Sequence, residues 1–325
     1  LLSDRTLRRL ACPRDQLPLI ASGSSLVCDE GHRYEIIEGI PILLREDVAH
    51  THWHAELALQ AARDGAALDD WAEPQPMHGV HRYVQQAIGA TGGNMYGSLI
   101  GRLTEYPIPD FPLAPHGDET LIDIGCNWGR WSVAAARRGF HVIGIDPSLE
   151  ALIPARHVCR QLGVRADFII GDARHLPIRT SALDAAFSYS VIQHFSKRDA
   201  AVAATEIGRV LRPRGRALVQ MPNTFGVRSI MQQARRGFRE PTEFQVRYWS
   251  PRELRRTFTR AIGPARLSVD GFFSLNAQPA EAALLPLRYR LLVRASAALA
   301  ALSRFVPPLA MVADSLYVAA ERQAA

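Results

Sequence analysis

From Glu119 onward the chain alternates short apolar runs with segments of helical composition, and this alternation constrains the fold more than any other feature. TLIDIG (120–125) reads as a strand, RWSVAAARRG (130–139) as a helix closed by Gly139, and HVIGID (141–146) as the next strand. A helix over 148–162, ADFIIGD (166–172), a strand in ALDAAFSYSV (182–191), a helix over 199–211 and RALVQMP (216–222) continue the pattern. Strands separated by helices do not pair as hairpins; they form a parallel sheet with helices on both faces, an α/β domain. Ser250, Pro251 and Glu253 supply an N-cap, an N1 proline and an N3 acid to a helix over 250–261, and 265–270 and 315–320 read as closing strands.

The 325 residues are about twice a typical domain of roughly 150, which leaves room for one elaborated domain or two unequal ones. A composition of 47% hydrophobic and 22% charged residues excludes wholesale disorder, a coiled coil or a collagen-like fibre. Four cysteines, at 12, 28, 126 and 159, do not make a disulfide scaffold, and no apolar leader with a small-residue cleavage site precedes them, so a cytoplasmic location is favoured. The formal charge of +6 is spread along the chain and selects neither nucleic acid nor a membrane surface.

The sharpest local motif is Asp123-Ile124-Gly125-Cys126-Asn127-Trp128-Gly129, between an apolar strand and a helix. Glycines at such a bend let backbone approach a ligand, and the helix N-terminus offers unpaired amides. The motif resembles the glycine-rich first motif of class I S-adenosylmethionine-dependent methyltransferases, with Asn127 at the middle glycine; asparagine is the side chain that best tolerates left-handed backbone. Further likenesses follow in family order: Asp146-Pro147 after the second strand, Gly171-Asp172-Ala173 after the third, SYSVIQHF (188–195) at the fourth and LRPRG (211–215) before the fifth. The resemblance implies a Rossmann-like fold, S-adenosylmethionine as cofactor, and contacts from Asp123, Gly125, Cys126, Asn127, Gly129, Asp146, Pro147, Asp172, Ala173 and Ser190. Asp146 would take the ribose hydroxyls and Asp172 the adenine amine. Trp128 and Trp131 read as packing residues, and a border of the cofactor is the other reading of Trp128.

Residues 10–44 are short apolar pieces between turn signals, too few for a self-sufficient core. Cys12-x2-Asp15 and Cys28-x3-His32 supply four zinc-competent side chains. Their spacing resembles the zinc-binding N-terminal unit of some ribosomal-RNA guanine methyltransferases, with Asp15 where that family has a second cysteine, and implies a structural Zn2+ held by Cys12, Asp15, Cys28 and His32. A degenerate metal-free unit is the alternative. The expected organisation is a zinc-ribbon-like unit over 1–50 and a helical linker and substrate cap over 51–118, with helical composition at 54–70 and 83–90. A methyltransferase domain over 119–325 follows, with an apolar helical insertion at 280–313.

The motif set implies an enzyme that moves a methyl group in line to a hydroxyl or an activated carbon. His194 is the nearby candidate for a general base, and a packed loop histidine is the other reading. SYSVIQHF resembles small-molecule and quinone methyltransferases, so the expected acceptor is a hydrophobic or lipid-like metabolite. The alternative is an RNA base, against which stand the missing basic cluster and the missing amine-clamping N/D-P-P-Y/F segment. Met95, Tyr96, Phe111 and the 280–313 insertion are candidates for the substrate wall. The insertion's uncharged runs are too short to span a bilayer. Its helices could instead pack in a homodimer or lie on a membrane with their arginines reaching phosphate, and exposure of their apolar faces decides between these uses.

Overall fold

A computed structural model describes residues 2–64, 75–242 and 244–324. A short helix α1 (Asp4–Leu7), capped by Ser3, leads into four antiparallel strands: β1 (Ile20–Ser22), β2 (Ser25–Val27), β3 (Arg33–Ile37) and β4 (Ile40–Pro41), paired in that order. This small sheet leans on the larger one. Leu10 bridges to Ile178, the Leu43 amide donates to the Ile170 carbonyl at 2.8 Å, and Leu10, Leu26 and Tyr34 share a core with Leu176 and Ile178. The apolar contact that a unit of this size cannot supply from within therefore comes from its neighbour.

Two helices follow, α2 (Trp53–Asp64) and α3 (Arg82–Thr91); the expected continuation of α2 to residue 70 lies outside the described residues. The large sheet then begins: β5 (Thr120–Ile124), α4 (Arg130–Arg137), β6 (His141–Asp146), α5 (Leu149–Gln161), β7 (Ala166–Ile170), β8 (Leu183–Ser188), α6 (Lys197–Val210) and β9 (Leu211–Pro222). After α7 (Val227–Arg235) and α8 (Pro251–Ala261) come β10 (Ala265–Gly271), α9 (Leu287–Leu302), α10 (Pro308–Val312) and β11 (Ser315–Glu321). The strand order is β7-β6-β5-β8-β9-β11-β10. Neighbours among β5 to β9 run parallel, and β11 is inserted antiparallel between β9 and β10.

Strands β5 to β8 are almost wholly buried, as both-face coverage requires. The expected cap of α8 is present: Ser250 Oγ accepts from the Glu253 amide at 3.2 Å and Glu253 Oε2 accepts from the Ser250 amide at 2.8 Å. Strand β8 stops at Ser188 rather than 191, because Ser190 adopts a left-handed φ of 59° that ends the extended run. Helix α7 had no sequence signal strong enough to announce it. The 280–313 segment is not one helix: Pro286, Pro307 and Pro308 divide it into a 3₁₀ turn at Pro279–Leu284, α9 and α10. Among the described residues no helix is long and apolar enough to cross a membrane.

Candidate functional site

Chain order runs outward from β5 in both directions, to β6 and β7 on one side and to β8 and β9 on the other. Ligands of open α/β sheets bind beyond the carboxyl ends of the strands at such a reversal. A cavity of about 660 Å3 lies there. Gly125, Cys126, Asn127, Asp146, Pro147, Asp172, Ala173, Ser190 and His194 all line it. Asp123 and Gly129 stand behind this lining.

The bend after β5 is built by backbone. The amides of Gly125 and Cys126 both donate to the Ile145 carbonyl, at 2.7 and 3.2 Å, and Gly125, Asn127 and Gly129 have φ of 75°, 45° and 83°. A Cβ on Gly125 would sit 2.2 Å from Val191 Cγ2, so the loop after β8 closes directly over a glycine. The Asn127 side chain takes the middle-glycine position by bonding locally, its Oδ1 accepting from the Trp128 amide at 2.9 Å. Trp128 is fully buried and donates to Thr91 Oγ1 at 3.0 Å, and both it and Trp131 also line the cavity.

Asp146 ties the bend to β6. Its carboxylate accepts from the Asn127 amide and from the Ser148 amide, each at 3.0 Å. Burial pushes its pKa up to about 6, with those two amides working against the shift. Asp123 is 2% exposed and accepts from Ser132 Oγ at 2.7 Å; burial, reinforced by the Asp146 charge, raises it to about 7. It braces the loop from within. Asp172 shows the opposite balance: burial raises its pKa, but His50 and the Arg174 guanidinium, 2.6 Å away at Nη2, outweigh that and hold it well below the usual carboxylate range.

On the opposite wall His194 Nδ1 lies 2.7 Å from the Phe244 carbonyl, and the two rings stack with centroids 4.0 Å apart. A carbonyl only accepts, so Nδ1 carries the proton, and Nε2 accepts from the Gln193 side-chain amide at 3.3 Å. Burial lowers the pKa of this imidazole, keeping it neutral. Ser190 donates from its amide to Gln220 Oε1 at 2.8 Å, and Gln220 donates onward to Ser315 Oγ at 2.6 Å.

Met95, Tyr96 and Phe111 are not brought to the cavity. Met95 and Tyr96 are buried, with the Tyr96 hydroxyl donating to Glu281 at 3.2 Å, and Phe111 sits in an aromatic cluster with Trp131, Phe140 and Phe187. Their burial came from core packing rather than from a substrate. The 280–313 insertion does not wall the cavity either; Ser274, Leu275, Asn276, Asp314 and Ser315, which flank it, do. Glu281 is instead fixed by Arg130, which donates to it from Nε at 2.9 Å and from Nη2. Motif reasoning missed His50, His52 and His54, all in the lining. The dense HTHWH run at 50–54 was their signal. Among the described residues the buried Ser148 hydroxyl has no hydrogen-bond partner, and His50 reaches only toward Asp172, with Nδ1 3.9 Å from its Oδ2; such atoms in a cavity wall suit a polar ligand.

At the small sheet, the ligand-capable atoms of Cys12, Asp15, Cys28 and His32 lie within 4.8 Å of one another. Cys28 Sγ is 3.5 Å from His32 Nδ1 and 3.3 Å from Asp15 Oδ2, and Cys12 Sγ is 3.5 Å from His32 Nδ1. These edges suit a tetrahedron with bonds of about 2.0–2.3 Å around one cation.

Residues 121–215 match the methyltransferase domain family. The sequence is 29% identical over 67% of this chain to the biotin biosynthesis bifunctional protein BioHC of Cellvibrio japonicus, covering 40% of that protein. It is 32% identical over 42% of the chain to the tRNA (carboxymethyluridine(34)-5-O)-methyltransferase ALKBH8 of Macaca fascicularis, covering 19% of it. It is 35% identical over 31% of the chain to the malonyl-[acyl-carrier protein] O-methyltransferase of Serratia marcescens, covering 37% of it. The chain thus spans less than half the length of each of these relatives. Strand order and the glycine-bearing bend agree with the family match: residues 121–215 carry a methyltransferase domain, set in an α/β fold of the class I S-adenosylmethionine-dependent methyltransferase type.

Proposed function

We propose that this chain transfers the methyl group of S-adenosylmethionine to an oxygen of a small, largely apolar acceptor. The observation that carries the proposal is the cavity at the sheet's reversal point, which is lined by the motif residues after β5, β6 and β7 and by Ser190, His194, Phe244, Val246 and Tyr248. When bound, S-adenosylmethionine supplies an electrophilic methyl on a sulfonium. Gly125, Cys126 and Asn127 offer it backbone, and Ser190 borders it from the far side. The Asp146 carboxylate accepts from the ribose hydroxyls, next to Pro147 and to the partnerless Ser148 hydroxyl. Asp172, kept ionised by His50 and Arg174, accepts from the adenine amine beside Ala173. Asp123 and Gly129 act by holding the loop.

His194 is the base. Its Nδ1–H is held by the Phe244 carbonyl, so Nε2, once the acceptor hydroxyl displaces the Gln193 amide from it, would take the hydroxyl proton as the oxygen–methyl bond forms and the methyl–sulfur bond breaks, leaving a neutral thioether. The enclosing walls hold the two reactants in line and exclude water. Oxygen as the acceptor atom is favoured by this base and by the O-methyltransferase names of the macaque and Serratia relatives. We assign to the Cys12, Asp15, Cys28 and His32 cluster a structural Zn2+ that crosslinks the two turns of the small sheet.

Two measurements test these assignments. Protein supplied with methyl-tritiated S-adenosylmethionine and a cell extract is expected to place label in the organic-extractable small-molecule fraction; label in RNA would overturn the acceptor class. Elemental analysis is expected to find one zinc per chain, lost in a Cys28→Ser variant, and a metal-free preparation of equal thermal stability rejects the site.

A further inference from the structure

The 280–313 segment turns its inner face to the protein and leaves an apolar outer face bare. Val293 and Ser296 of α9 are buried, and Ser296 Oγ accepts from the Phe272 amide at 2.9 Å. On the other side of the helix Leu287 is 67% and Leu291 56% exposed, and Leu302 continues the same stripe. Phe305, just beyond it, is 83% exposed. A helix apolar on both faces is not what an aqueous surface selects. Helix α7 repeats the pattern: Val227, Ile230 and Met231 are exposed at helical spacing, while Ser229 is buried against Asp314.

The two segments meet. Asn223 Nδ2 donates to the carbonyls of Met311 and Ala313 at 2.9 and 2.8 Å, and a Cβ on Gly226 would lie 2.4 Å from Asp314 Cα, so the start of α7 rests on the end of α10. Ser229 and Asp314 both line the cavity, which places the junction beside it.

The charge is one-sided. Residues 225–239 and 282–313 together hold eight arginines and no aspartate or glutamate, although the chain as a whole has 32 acids; Arg236 and Arg290 turn inward onto the carbonyls of Val246 and Ala283, which leaves six for the outer face. None of the eight is ion-paired among the described residues.

We propose that the outer faces of α7 and of α9 with α10 form a docking surface for an anionic lipid bilayer, against which the cavity is held. Exposed apolar side chains enter the headgroup–acyl boundary while arginine stems lie along it and their guanidinium groups meet phosphate. A second copy of the chain fits less well, since arginine-rich faces with no acids would repel each other. With no helix able to span, contact is in the plane of the interface.

The test is flotation of the full chain with vesicles, with S-adenosylhomocysteine binding as the control for folding. The protein is expected to float with phosphatidylcholine–phosphatidylglycerol vesicles, to stay behind with phosphatidylcholine alone, and to be released by salt. Leu291→Asp combined with Phe305→Asp is expected to cut partitioning by more than about tenfold. Arg228→Gln and Arg235→Gln are each expected to cut it about fivefold, with the apolar stripe intact. Failure to float with anionic vesicles, or equal flotation on neutral ones, overturns the proposal. So does a dimer in sedimentation that is broken by the Leu291 and Phe305 substitutions while vesicles are ignored.

Discussion

The wall of the cavity beyond β5, β6 and β7 and the wall that faces it are held by different means. The first is mostly backbone and close-range: Gly125 and Cys126 amides on the Ile145 carbonyl, the Gly129 amide on Cys126, the Gly171 amide on Asp146. The second joins segments far apart in sequence. His194 leans on Phe244, the Arg247 guanidinium donates to the His194 carbonyl at 2.6 Å, and the Gln220 side chain ties Ser190 to Ser315. The first arrangement offers a fixed cradle for one ligand, whereas the second can be rebuilt residue by residue without disturbing the sheet. That difference is what a fold needs if it is to keep a cofactor and change its acceptor.

The contrast predicts that substitutions on the two walls separate cofactor binding from turnover. The largest effect is expected for His194→Ala, which should lower kcat by about two to three orders of magnitude while affinity for S-adenosylhomocysteine stays unchanged. Calorimetric titration beside single-turnover kinetics checks this, and parallel losses of both would erase the division between the walls. Because the imidazole's pKa is lowered, the rate should hold at neutral pH and fall only as acid protonates Nε2.

Next is Asp146→Ala, expected to weaken S-adenosylhomocysteine by at least about a hundredfold, since two hydrogen bonds to a charged group, each of about 1.5 kcal/mol or more, and the anchor of Asn127 go together. The same titration measures it; a variant that binds normally would show that the ribose contact lies elsewhere.

Asp123→Asn should do the reverse for stability. The Asp123 carboxyl is raised to about 7 in the fold. The unfolded value is about 3.9, so the folded chain binds more protons between the two, and its stability falls as pH rises from the lower value through the upper. Asparagine keeps an acceptor for Ser132 but carries no charge, and should be more stable than the parent by about 2 kcal/mol at mildly alkaline pH. Thermal melts across pH test it, with identical profiles as the contrary outcome. The smallest effect is expected for Ser148→Ala: about fivefold weaker cofactor binding from one lost hydrogen bond, with no loss of thermal stability. Unchanged affinity would mean that the partnerless hydroxyl does not face the ligand.

Legibility in the sequence followed the same line as the construction of the walls. Gly125, Asn127, Asp146, Asp172 and Ser190 could be found because each sits at or just beyond the end of an apolar strand, a position that alternation alone locates. His50 and Asn276 belong to no such pattern and reach the cavity only when distant loops are folded over it. Tyr96 and Phe111 misled because large aromatic side chains before the sheet satisfy core and pocket equally well until neighbours are known; here those neighbours are Glu281 and three other aromatic rings. The Cys12, Asp15, Cys28 and His32 cluster was legible because two hooks on adjacent turns need only a hairpin to converge.

The sequence by itself determined the parallel sheet, its reversal point and the bend after β5, because hydrophobic periodicity and the steric freedom of glycine act over a few residues. Tertiary structure alone decided that His194 reaches the cavity, that α9 turns an apolar face outward and that Ser229 of α7 and Asp314 line the cavity. These depend on how segments some 24 to 90 residues apart pack, and no local pattern carries that information.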